Sequence, residues 1–197
     1  MQQIILKYES QLRDLFESEE QVNFIEVGSE RGHGSTQNLG EFCKTLGFKF
    51  ITVDATPSVA ENAKNILGFI DSTFEAHNDL GEEFLKKYDS PIHVLYLDAF
   101  DLEHMSDRSV GSFVESTHGQ YVDRGVELTN ENCYKCHLQM AQNAIDKMAK
   151  NGIIFFDDVY SDEPDWDGKG KTAIPFLLDN GFEIIEREYP QLLLQKK

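Results

Sequence analysis

The sequence predicts an α/β fold, a doubly wound and mostly parallel sheet with an antiparallel edge strand. Three observations predict it. Short apolar runs of strand length alternate with amphipathic stretches of helix length, the pattern of a parallel sheet with helices between its strands. Several of the runs end in a glycine loop or an aspartate, at Gly28, Asp54, Asp98 and Asp157. The last two runs flank Tyr189-Pro190 with no helix between them, which reads as an antiparallel edge.

The elements follow in order. Residues 3–20 read as a helix, and Asn23–Val27 as a strand that runs into a glycine loop. Ser35–Leu46 is a helix stopped by Gly47, and Phe48–Val53 a strand ending at Asp54. Ser58–Leu67 is a helix, Thr73–Ala76 a weak strand, and Leu80–Tyr88 a helix. His93–Leu97 is a strand ending at Asp98. Cys133–Lys150 reads as a helix with Leu138, Ala141, Ile145 and Met148 on one face, stopped by Asn151-Gly152. Ile153–Phe156 is a strand ending at Asp157-Asp158. Lys171–Asn180 is a helix, followed by the strands Glu183–Arg187 and Leu192–Leu194. One segment breaks the rhythm. Residues 102–132 form a long polar connection with Gly111, Gly119 and Gly125, at the carboxyl end of a strand, and read as a lid or mobile loop over a ligand site.

Composition narrows the class. The chain has 197 residues, 18 Lys and Arg against 35 Asp and Glu, and a formal charge of −17. That length suits one domain with a self-sufficient core. The charge repels phosphates, so no nucleic-acid partner is expected. Unbroken apolar runs reach only four residues, so no membrane span is expected, and the N-terminus lacks the basic start and apolar stretch of a secretory signal. Cys43, Cys133 and Cys136 do not make a disulfide framework, which points to a reduced, cytoplasmic setting. An open sheet edge leaves room for a homodimer, though nothing in the sequence demands one.

The first strand leads into Glu26-Val27-Gly28-Ser29-Glu30-Arg31-Gly32-His33-Gly34-Ser35. Glycines there let backbone approach a ligand, and a helix N-terminus follows. The Gly-x-x-x-Gly-x-Gly spacing departs from the G-x-G-x-x-G of dinucleotide enzymes. Asp54 ends the second strand, 20 residues past Gly34, where an acid can accept hydrogen bonds from both hydroxyls of a ribose. The pair favours an adenosine-type ligand without separating NAD from S-adenosylmethionine. Asp98, Asp157 and Asp158 end the next two main strands. Brought to one rim, they would repel unless a cation joins them, and oxygen ligands alone suit Mg²⁺ or Ca²⁺.

These residues carry a resemblance to class I S-adenosylmethionine-dependent methyltransferases, a Rossmann-like family. Within it the pattern is most similar to metal-dependent small-molecule O-methyltransferases of the catechol and macrolide-sugar types. The resemblance runs from about Asn23 to the C-terminus and implies one methyltransferase-like domain over 1–197, with an N-terminal helix at 1–20 and a lid-like insertion at 102–132. Glu26, Gly28, Gly32, Gly34 and Ser35 match the family's first motif, and Asp54 its ribose acid. His77 and Asn78 fall where the family contacts adenine. Asp98, Asp157 and Asp158 match its metal acids, with Asp98 also on the cofactor side. Gly168-Lys169-Gly170 before an apolar helix recurs in relatives. Where relatives carry a Lys or His base, three residues past the first metal acid, this chain has Asp101, with His104 the next candidate. The implied reaction is metal-assisted transfer of a methyl group to the hydroxyl of a small molecule: the metal lowers the hydroxyl pKa and a base takes the proton.

Other motifs weigh less. Cys133-Tyr134-Lys135-Cys136-His137 matches a haem-attachment pattern, and with His118 offers zinc ligands, but sits at the start of a helix with a good apolar face. Gly168-Lys169-Gly170-Lys171-Thr172 ends like a phosphate-binding loop, yet its first glycine position is Asp165. Residues 157–167 hold six acids, and the part with Glu163, Asp165 and Asp167 reads as a solvated acidic loop rather than a calcium loop. Two rival functions stand beside methyl transfer. One is an NAD oxidoreductase, which would prefer the absent glycine spacing. The other is a non-catalytic protein that keeps the fold and binds a nucleoside.

Overall fold

The computed structural model describes residues 3–29, 34–103 and 125–197. An N-terminal 3-10 turn, Ile4–Tyr8, leads into α1 (Glu9–Leu15). Then come β1 (Asn23–Val27), α2 (Ser35–Leu46), β2 (Lys49–Asp54), α3 (Pro57–Ile70), β3 (Glu75–Asn78), α4 (Gly81–Lys87) and β4 (Ile92–Leu97). After the undescribed residues follow α5 (Asn130–Ala144), β5 (Met148–Phe156), α6 (Ala173–Asp179), β6 (Phe182–Glu188) and β7 (Gln191–Lys196). The strands form one seven-stranded sheet in the order β3-β2-β1-β4-β5-β7-β6. β1 to β5 run parallel, and β7 enters antiparallel between β5 and β6. The expected doubly wound sheet with an antiparallel edge is what forms.

Alternation along the central strands builds two cores. Ile25, Val27, Leu95, Leu97, Ile154 and Phe156 face α4, α5 and α6. Phe24, Phe50, Val94, Tyr96 and Phe155 face the N-terminal turn, α1, α2 and the Leu67 side of α3. Successive residues of a strand point to opposite faces, so a strand buried on both sides is apolar throughout, as β4 is. No helix among the described residues is long and apolar enough to cross a membrane.

Two expected helices differ from what forms. The helix expected over 3–20 ends at Leu15. Glu17, Glu19 and Glu20 would place negative charge on the negative end of its dipole. The buried Phe16 leaves the helix to meet His93 and Phe48 edge-on, at 5.2 and 6.3 Å between ring centres. The helix expected over 133–150 starts earlier, where the Thr129 hydroxyl accepts from the Asn132 N–H, and ends at Ala144. Met148 belongs to β5 and pairs with Ile92, so it is not on the helix face. Asn151-Gly152, which reads as a helix stop, instead marks a bulge: Asn151 has φ +60°, and the β4–β5 register shifts beside it. The Lys196 ammonium caps this corner by donating to the carbonyls of Ile145 and Met148.

Candidate active site at the strand carboxyl ends

The sheet reverses winding at β1, with β2 and β3 on one side and β4 and β5 on the other. Open α/β sheets bind ligands outside the carboxyl ends of their strands at such a point. Gly28 leaves β1 there with φ +101°, and a Cβ on it would lie 2.6 Å from the Asp98 carbonyl oxygen. Only glycine lets the first loop pass so close to the end of β4. A small recess adjoins it, lined by Gly28, Asp54, Leu80, Glu82, Ala99 and Cys136 among others.

Asp54 stands on the wall of that recess. Its carboxylate accepts from the Ser29 N–H at 2.9 Å and the Thr56 N–H at 2.7 Å, which fixes its orientation. Burial pushes its pKa up, against the pull of those two donors. Asn78 pairs with Asp54 in the β2–β3 register, and its side-chain amide donates to the Asp54 carbonyl at 3.0 Å. His77 contacts Glu75 at 2.9 Å and leans on Phe84, with 5.0 Å between ring centres. Gly34 opens α2 with φ +66°, and Ser35 follows it. Gly32, His33 and His104 lie outside the described residues, as do residues 104–124 of the expected lid.

Glu26 does not face the recess. It sits opposite Thr52 of β2 and Tyr96 of β4, pointing into the α2 core, and is fully buried. Its carboxyl group meets the hydroxyls of Ser35, Thr36 and Thr52 at 2.8, 2.7 and 2.7 Å. Ser29 joins the cluster through Thr52 at 2.7 Å, and its carbonyl accepts from Thr36 at 2.8 Å. Burial raises the Glu26 pKa to about 8 even though all three hydroxyls pull it down. Glu26, expected among the cofactor-binding residues, thus has its carboxyl group engaged by hydroxyls behind the first loop. Residue 26 alternates inward on β1, and its acid ties β1, β2 and the start of α2 into one brace.

The three strand-end acids do share one rim, but they meet a partner the charge argument left out. The loop after β5 turns at Asp158, which has φ +54°, and returns to make a bridge between Val159 and Gly168. Lys169 follows, its side chain 2% exposed. Its ammonium lies 2.5 Å from Asp98 Oδ1, 2.9 Å from Asp158 Oδ2 and 3.2 Å from the Asp98 carbonyl oxygen. Three acceptors match the three N–H bonds of an ammonium. Burial works against its charge, but Asp98 and Asp158 outweigh burial and hold the pKa well above the usual lysine value. The Tyr96 hydroxyl bridges Asp98 Oδ2 at 2.9 Å and Asp157 Oδ2 at 3.0 Å, and Gln191 donates to the same Asp157 oxygen at 3.1 Å. A phenol has one proton, so it serves one carboxylate at a time. Burial raises Asp98 to about 6, while Lys169 pulls it down. Asp101 lies exposed, three residues beyond Asp98.

Mg²⁺ and Ca²⁺ bind oxygen at ~2.0–2.6 Å. The place where such an ion would touch both Asp98 and Asp158 is held by the Lys169 ammonium. Among the described residues, no group of three or more His, Cys, Asp or Glu side chains is placed to hold a metal. The donor set of Asp98, Asp157 and Asp158 therefore does not fit the expected ion. Acids crowded at one rim need a counter-cation, and this chain supplies its own. Sequence reasoning missed Tyr96 and Gln191 and, although it noted the Gly168-Lys169-Gly170 run, the part Lys169 plays here. Tyr96 carried a legible signal, being two residues before Asp98 on the same strand. Lys169 carried a fainter one, as a lone lysine between glycines after an acidic loop.

The Cys133-x-x-Cys136-His137 pattern packs as helix. Cys133 Sγ lies 3.2 Å from the Phe100 carbonyl, and Cys136 Sγ lies 3.4 Å from Glu82 Oε2. His137 is fully buried and bonds the Cys133 carbonyl through Nδ1 at 2.9 Å. Burial drives its pKa down to about 3, so the ring is neutral.

No family model matches the sequence, and no curated protein does either. Solved structures do match the fold. A TDP-rhamnose 3'-O-methyltransferase of calicheamicin biosynthesis is 13% identical with a TM-score of 0.61, covering 96% of this chain and 78% of its own. A protein assigned as an rRNA methylase from Clostridium thermocellum is 12% identical with a TM-score of 0.57, covering 100% and 99%. A protein from Streptococcus mutans, assigned as a methyltransferase and solved with S-adenosylhomocysteine, is 13% identical with a TM-score of 0.54, covering 99% and 97%. At these identities the likeness is one of fold.

Proposed function

We propose that this chain, built on the fold of class I methyltransferases, is an S-adenosylmethionine-dependent enzyme that methylates the hydroxyl of a small molecule. The observation that carries the reading is Asp54. It is an oriented carboxylate at the end of β2, on the wall of the recess at the switch point and beside Gly28. A carboxylate has about four lone-pair positions, and two backbone donors with the Thr56 hydroxyl leave one for a ribose hydroxyl. Asn78, next to Asp54 in register, and His77 stand on the adenine side. The cofactor, when bound, supplies a methyl group on a sulfonium, and methyl transfer asks the protein mainly for alignment. In this reading Asp101, exposed past the end of β4, takes the hydroxyl proton. The charge of −17 favours a small-molecule acceptor over nucleic acid, although one structural neighbour is assigned to rRNA.

The test is titration calorimetry with S-adenosylhomocysteine. The native chain should bind it, and Asp54→Ala should bind at least ~10-fold more weakly, about 1.4 kcal/mol. Equal affinity in the two proteins removes Asp54 from the site, and no binding by either removes the methyltransferase reading.

A further inference from the structure

We infer that Lys169 is a built-in cation: its ammonium stands where a divalent metal would bridge the ends of β4 and β5, and methyl transfer at this site runs without a metal. Replacement of the ion by lysine rests on geometry alone. Independence of the reaction from metal rests in addition on the methyltransferase reading.

The local backbone is shaped to bring this ammonium inside. Gly168 has φ +86°, and a Cβ on it would strike the Asp158 carbonyl oxygen. A Cβ on Gly170 would strike the Ile174 side chain. With glycine at both positions, the segment lies flat on the strand end. The Lys169 N–H then donates to the Asp158 carbonyl at 2.9 Å, and the side chain runs inward to Asp98. The loop is also pinned from behind, where Arg187 donates to the Val159 carbonyl at 3.0 Å and meets Asp162 at 2.9 Å. A dication and an ammonium cannot share the space between Asp98 and Asp158, because like charges in a water-poor site repel strongly. For a metal to enter, Lys169 would have to leave, and its side chain is 2% exposed where it stands. Lys169 does not face the open recess. It acts as a positioning residue, holding Asp98 and Asp158 in one arrangement while Tyr96 links Asp98 to Asp157.

The probe is Mn²⁺ alone, followed by electron paramagnetic resonance on the full chain. Native protein and Asp98→Asn should bind Mn²⁺ equally, since any binding is then by surface acids. Lys169→Met should gain one site at least 10-fold tighter than any in the native protein, and Lys169→Met with Asp98→Asn should lose it. Lys169→Arg, which keeps the charge, should gain none. A purely structural lysine would not create a metal site when removed. A native Mn²⁺ site that disappears in Asp98→Asn overturns the inference, as does a folded Lys169→Met that gains no site. If Lys169→Met does not fold, the comparison of native protein with Asp98→Asn decides alone. Affinity for S-adenosylhomocysteine should be the same in excess chelator as in Mg²⁺. Failure to bind it at all would end the methyltransferase reading and leave the Mn²⁺ result standing.

Discussion

Glu26 shows how one residue type changes its work with its surroundings. In the sequence it stands at the head of a glycine loop. In the fold it is a buried acid among three hydroxyls, with a pKa raised to about 8 by burial. Between the ordinary glutamate value near ~4.3 and about 8, the folded chain therefore holds a proton that the unfolded chain has released. Stability contributed by this residue is present below that window and falls as pH rises through it, by up to ~1.4 kcal/mol per pH unit. Glu26→Gln carries no such proton. In urea denaturation at pH 5, 6, 7 and 8, the native chain should lose stability relative to Glu26→Gln at each step upward. A stability difference independent of pH would show that Glu26 is ionised in the fold. Asp54 is the contrasting acid, turned to the recess and held by backbone, and so able to lose its carboxylate with less damage to the core.

Among the elements, α4 begins on the wall of the recess, and its first residue sets how closely it approaches β1. A Cβ on Gly81 would collide with Val27 Cγ1 and lie 2.7 Å from Met140 Sδ, so α4 can rest on β1 and α5 only with glycine there. Overpacking of this kind costs ~1–3 kcal/mol. Gly81→Ala should lower stability by about that amount in chemical denaturation. Gly68 in α3 is the opposite case, with nothing within 4 Å of a built Cβ. Gly68→Ala should raise stability by ~0.5–1 kcal/mol through helix preference. A Gly81→Ala chain as stable as the native one would show that α4 does not pack as described, and a destabilised Gly68→Ala would show that Gly68 is not free to take a side chain. Legibility in the sequence also divided by element. β1, α2 and β4 follow from periodicity and end signals alone. The stretch 145–152 does not, because its helical spacing was outweighed by the pairing of Met148 with Ile92 on a neighbouring strand.

At the scale of the whole molecule, two cores on opposite faces of one sheet carry a charge of −17 on 197 residues. Self-repulsion of that size opposes the compact state. Salt screens exposed charges over a Debye length of ~10 Å at 0.1 M but touches buried pairs such as Lys169 with Asp98 and Asp158 much less. Exposed ion pairs contribute only ~0–1 kcal/mol each, so their loss is small. The melting temperature should therefore rise between about 0.05 and about 0.5 M sodium chloride in scanning calorimetry. A fall across that range would mean that surface ion pairs outweigh the net repulsion.

By itself the sequence determined the order of strands and helices, the parallel sheet, the glycine turn at Gly28 and the acids at the strand ends. These are local matters: alternation over a few residues, a stop signal, an acid after an apolar run. What each acid does was decided only by the tertiary structure. Glu26 turned inward because its place on β1 set it opposite Thr52 and Tyr96. Asp98 took its cation from a lysine 71 residues further along the chain, delivered by a loop that folds back on β5. Periodicity carries no information about such a pairing. A buried charge finds its counter-charge in space, and only the assembled sheet brings the ends of β4 and β5 to the lysine that neutralises them.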